Sequence, residues 1–148
     1  MNVNEKMVKE HLHKWQDVLR LRDWDIAIQI VEAPWRKSGD IKIDLDDKKA
    51  ILLINHTPKS KNLEELVIHE LLHLKLYAMD QMIEELLSLV FGDDEDDPKR
   101  EFAHTQFMML LESTVEDLTK GYLKAAGSQQ PLSFGRLRGA VDEEIGNG

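Results

Sequence analysis

The chain has no cysteine. Neither a disulfide nor a thiolate ligand is open to it, and any bound zinc must be held by nitrogen and oxygen. It also lacks an excess of positive charge: 19 Lys and Arg against 28 Asp and Glu leave −9 at pH 7. That balance argues against a nucleic-acid backbone or an anionic membrane as the main partner. No apolar run approaches the roughly 20 residues needed to span a bilayer. The N-terminus is charged from Glu5 onward, with no apolar stretch of the kind that marks a secretory signal. A cytoplasmic location is the resulting expectation, and the sequon Asn55-His56-Thr57 is then read as coincidence. There is no internal repeat. What is present suits one soluble domain with a real core: 148 residues, 42% apolar and 32% charged.

Apolar spacing predicts an amphipathic helix over residues 4–22, with Met7, Val8, Leu12, Trp15, Leu19 and Arg22 on one stripe. Partial alternation predicts strands over 24–31 and 41–45. The continuous apolar run 50–55 reads as the strand most covered by helices. Close spacing of the three suggests a small, mostly antiparallel meander. Asn62 with Glu65 three residues on reads as an N-cap of capping-box type. A helical pattern follows to Val90, with a reorientation expected near 78–80. Asp93-Asp94-Glu95-Asp96-Asp97 reads as a solvated loop; an acidic calcium loop is the sharper alternative, but the EF-hand ligand pattern is missing. Residues 99–125 form a second long helix candidate. The fold class expected is α+β: a three-stranded sheet packed on two long helices with an N-terminal helix. It fills one domain over 1–126, with a flexible tail over 127–148.

The stretch from Leu66 to Tyr77 contains His69-Glu70-x-x-His73 and neither Gly nor Pro. On a helix the two histidines project from one face a turn apart, close enough for both to reach a single Zn²⁺. Glu70, rotated by about 100° from His69, flanks the metal and can accept a proton from a water that the metal activates. The helix is apolar nearly all round, so two His and a Glu on it are costly unless something pairs with them.

A catalytic zinc needs a third protein ligand and an open position. Glu112 is the choice, because it sits mid-helix among apolar residues where an unpaired carboxylate is expensive. Glu116, one turn on, can hydrogen-bond a ligand histidine. His104 competes, but it lies eight residues before Glu112, about 12 Å along a helix, so both cannot ligate one ion.

His69-Glu70-x-x-His73 with downstream Glu112 and Glu116 resembles the gluzincin zinc metallopeptidases. The order of helix, short meander, apolar strand, motif helix and glutamate helix resembles the very small minigluzincins, with similar short proteins in bacterial and phage genomes. The resemblance covers roughly residues 24–124. It implies one Zn²⁺ on His69, His73 and Glu112, Glu70 as general base, and a strand 50–55 that borders the cleft and pairs with an extended substrate. No residue matches by motif the His or Tyr that stabilises the oxyanion; His104, Tyr77 and His56 are candidates by type. The expected activity is zinc-dependent hydrolysis of peptide bonds in a flexible protein segment, in a protease that is active or latent. The rival is a zinc-stabilised binding or regulatory module with little catalysis.

Overall fold

The computed structural model describes residues 2–128 and 131–146. The fold is α+β, in the order α1 (Glu5–Val18), β1 (Asp25–Val31), β2 (Gly39–Asp44), β3 (Lys49–Asn55), α2 (Leu63–Phe91), α3 (Pro98–Ala126) and α4 (Gly135–Ile145). Asn4 caps α1 through its side chain, which accepts from the Met7 N–H at 3.0 Å. Val8, Leu12 and Trp15 turn inward from that helix. Arg22 does not extend their stripe; it pairs with Asp17 at the surface, and the neighbouring Leu21 is buried instead.

The three strands do not form a meander. β3 lies between β1 and β2, parallel to β1 and antiparallel to β2. Two connections explain the order. A tight turn joins β2 to β3, whereas residues 32–38 between β1 and β2 are long enough to cross one strand position. The most apolar strand takes the centre, where Leu52 and Ile54 are fully buried. β3 is therefore paired on both sides, and the strand with an open edge beside the motif helix is β2.

α2 is one continuous helix of 29 residues, about 43 Å long, with no reorientation near 78–80. Val67, Ile68 and Leu71 are fully buried against the sheet and α1. Buried positions on α2 stop at Leu74, and those on α3 begin at Val115, so the far half of the helical hairpin stands beyond the core. Asp97 of the acidic run caps α3, accepting from the Lys99 and Arg100 N–H groups. Among the described residues no helix is long and apolar enough to cross a membrane.

Part of the expected tail, residues 129–130 and 147–148, lies outside the described residues. Within the rest, 135–145 are helical, and the segment before them is strapped to the start of α2. Asn62 Nδ2 donates to the Pro131 carbonyl at 3.1 Å, and the Ser133 N–H donates to Glu65 Oε2 at 2.9 Å. Asn62 does cap α2, accepting from the Glu65 N–H at 3.0 Å, but the Glu65 carboxylate serves Ser133 rather than closing a reciprocal box. Glu64, only 3% exposed, accepts from Ser128 N–H at 2.7 Å and Trp15 Nε1 at 2.8 Å. Burial alone would raise its pKa, yet these donors and the Lys14 ammonium outweigh it and hold the carboxyl down at about 2.

Candidate metal centre

The centre is built where α2 and α3 cross beside the start of β2. Gly39 lets the strand approach: a Cβ there would meet Leu66 Cδ1 at 3.1 Å and the Leu53 carbonyl oxygen at 3.2 Å. His69 and His73, one turn apart on α2, stack edge to face with ring centroids 4.9 Å apart. From α3, Glu112 reaches both rings. Its Oε1 lies 3.1 Å from His73 Nε2, and its Oε2 lies 3.7 Å from His69 Nε2. One ligand atom from each of His69, His73 and Glu112 lies within 4.8 Å of the others, a group that could hold a metal ion.

Glu116, one turn further along α3, sits 3.1 Å from His69 Nδ1 and 3.6 Å from Lys120 Nζ. With Nδ1 engaged there, His69 is left to present Nε2 toward Glu112. Burial, and then the neighbouring His73, lower the His69 pKa despite both glutamates, which favours the neutral imidazole that a metal needs. For His73 the balance is reversed. Burial acts to lower it, but the hydrogen bond and charge of Glu112 outweigh that and raise it.

Glu70 is 6% exposed, and burial pushes its carboxyl up to about 7. Asp40 and Glu112 add to the rise, against His73 and Lys37. Glu70 and the three candidate ligands line one groove of about 430 Å³ together with Tyr77 and the β2 residues Gly39, Asp40, Ile41 and Ile43. The groove opens past His69 into a cleft of about 1050 Å³ that extends to Arg36, Ser60 and Glu65.

No protein-family model, curated protein or solved structure matches this chain.

The other residues singled out from the sequence separate cleanly. Tyr77 lines the groove with Glu70 and His73. His104 is held elsewhere, its Nε2 3.0 Å from Glu84 Oε1, bridging α3 to the far part of α2. His56 lines neither part of the cleft; its Nδ1 lies 3.1 Å from the Val31 carbonyl oxygen at the end of the sheet. Asn55 of the sequon spends its amide donors on the carbonyls of Trp35 and Lys37.

The sequence reading missed the β2 edge and, on it, Asp40. Its Oδ2 lies 3.1 Å from Lys37 Nζ and 3.2 Å from Lys42 Nζ. Asp80, also in the groove, was missed as well; burial and Glu84 raise its pKa. Ser38-Gly39-Asp40 reads locally as a turn, and only the register against β3 reveals that Gly39 opens a strand.

Proposed function

We propose that the chain is a zinc-dependent peptidase, with His69, His73 and Glu112 as the zinc ligands and Glu70 as the proton-transfer group. The observation that carries this reading is the convergence of two imidazoles from one helix and a carboxylate from another within 4.8 Å, beside a buried glutamate in the same groove. The donor set of two nitrogens and one carboxylate, with no cysteine in the chain, suits a catalytic zinc that keeps an open position. Zinc bound there supplies Lewis acidity toward the scissile carbonyl and toward the attacking water.

The remaining work falls to this chain's own groups. Glu70, buried in the groove beside the three ligands, takes a proton at its carboxylate from the attacking water and passes it to the departing amine. Glu116 holds His69 through Nδ1, fixing the ring's orientation. Tyr77, a phenol lining the same groove, is the group to donate to the oxygen that gains charge.

The substrate in this reading is an extended, flexible segment laid along β2 rather than along the doubly paired β3. Because the Asn55 N–H bonds to the Ser38 carbonyl, the register places the β3-directed backbone groups of β2 at Asp40, Lys42 and Asp44. The backbone groups of Gly39, Ile41 and Ile43 then face the open edge, where a peptide strand can add.

The test is a zinc titration of the purified chain, followed by mass-spectrometric readout of a peptide library. One zinc per chain and chelator-sensitive cleavage are expected, with His69→Ala losing both. A chain that binds zinc and cleaves nothing would favour the zinc-stabilised binding module, and one that binds no zinc would end the reading.

A further inference from the structure

The open edge of β2 is already occupied at its middle. The Ile41 N–H is the central outward-facing donor of Gly39, Ile41 and Ile43, and it donates to Asp40 Oδ1 at 2.8 Å. That carboxylate does not rest there passively. Its other oxygen is gripped from both sides, by Lys37 Nζ at 3.1 Å and Lys42 Nζ at 3.2 Å. A carboxylate that follows its own strand's alternation has no need to fold back on the next N–H. Here the two ammonium groups hold it in place, and a charge-assisted bond to the amide results.

We propose that Asp40 is a built-in competitor for the substrate's place on β2, whose carboxylate must leave the Ile41 N–H before an extended peptide can pair with the edge. The substrate side of this inference rests on the peptidase reading; the cap on the amide does not. Asp40 lines the same groove as Glu70 and His73, so a chain paired along β2 passes over the reacting groups and meets Asp40 as it does so. The device makes the cleft selective. A peptide gains the central backbone bond only by exceeding an internal carboxylate, so weakly held segments are turned away. It also blunts an exposed strand edge against pairing with other chains, a hazard that open edges carry.

The cap is tested by amide hydrogen exchange in the ¹⁵N-labelled full chain. Ile41 N–H is expected to exchange more slowly than the outward N–H of Ile43, and Asp40→Ala is expected to abolish the difference. An Ile41 amide that exchanges as fast as Ile43 in the parent, or stays slow in Asp40→Ala, would overturn the proposal. The competition is tested in the zinc-loaded Glu70→Gln chain with an uncharged, end-capped eight-residue peptide of unstructured sequence. Adding Asp40→Ala should tighten binding about tenfold, the worth of one displaced charge-assisted hydrogen bond. Asp40→Asn keeps an acceptor oxygen and loses the lysine grip, and it should fall between the two. Equal or weaker binding by Asp40→Ala refutes the competitor role. Absence of binding by either chain refutes the peptidase reading and the competitor role with it, while the exchange rates still report the cap.

Discussion

Glu64→Gln tests how the motif helix is anchored, and its effect can be worked from the structure. Glu64 accepts with both oxygens, from Ser128 N–H and from Trp15 Nε1, and its side chain is 4% exposed. Its pKa falls from an ordinary 4.5 to about 2. Each tenfold in proton affinity is worth about 1.4 kcal/mol, so at full strength the charged form contributes about 3 kcal/mol to stability. Lys14 is 43% exposed, and solvent screening of that partner brings the figure nearer 2 kcal/mol. The folded-state value lies below the unfolded one. The contribution is therefore complete above about pH 5 and is lost as pH falls through 4.5 toward 2. Glutamine has one acceptor where the carboxylate has two, and the protonated acid is in the same position. Urea unfolding of parent and variant should show a gap of about 2 kcal/mol at pH 7 that closes to about 0.5 kcal/mol at pH 2. Other titrating groups are common to both chains and cancel in the difference. A gap that stays constant with pH would refute the assignment of Glu64 as an ionised anchor.

Further outcomes follow from the site and the core. Glu112→Ala should weaken zinc binding by more than about a hundredfold, and Glu116→Gln by about ten- to a hundredfold, because the proposed role of Glu116 is to orient His69 through Nδ1 rather than to ligate; competition titration with a chromophoric chelator orders the two. His104→Ala should leave zinc affinity intact and cost at most about 1 kcal/mol of stability, since the His104–Glu84 pair is partly exposed on both sides. Trp15→Ala should cost about 3–5 kcal/mol in urea unfolding, because it empties a fully buried site and removes the Glu64 donor.

The parts legible in the sequence are those whose cause is local. Asn62 caps the helix it precedes, and the period of His69 and His73 places them on one face. Glu112 stood out as a carboxylate among apolar residues and Glu116 as the acid one turn on; the structure brings both to the histidines, although the Glu112 side chain is half exposed rather than buried. What depended on chain-distant pairing was not legible. The continuous apolar run shows that β3 is buried but not that it divides β1 from β2, so the open edge beside the motif helix was assigned to the wrong strand. Glu64 looks like an ordinary first-turn acid and Glu65 like the reciprocal half of a capping box; their partners, Ser128 and Ser133, lie more than sixty positions away. The absence of Gly and Pro near residues 78–80 was the correct signal for an uninterrupted α2, and the expected break does not occur. Axial distance showed that His104 and Glu112 could not both reach the histidines, and Glu84 supplies the partner that holds His104 away.

Glu70 gives the most direct test of the central claim, because it lines the groove beside the three proposed ligands without being one of them. Zinc stoichiometry and peptide hydrolysis should be measured together on the parent and Glu70→Gln chains, each loaded with one equivalent of zinc. The account expects Glu70→Gln to keep its zinc and to lose turnover by at least about a hundredfold, the usual worth of a positioned general base. Hydrolysis at the parent rate by the zinc-loaded variant would contradict it.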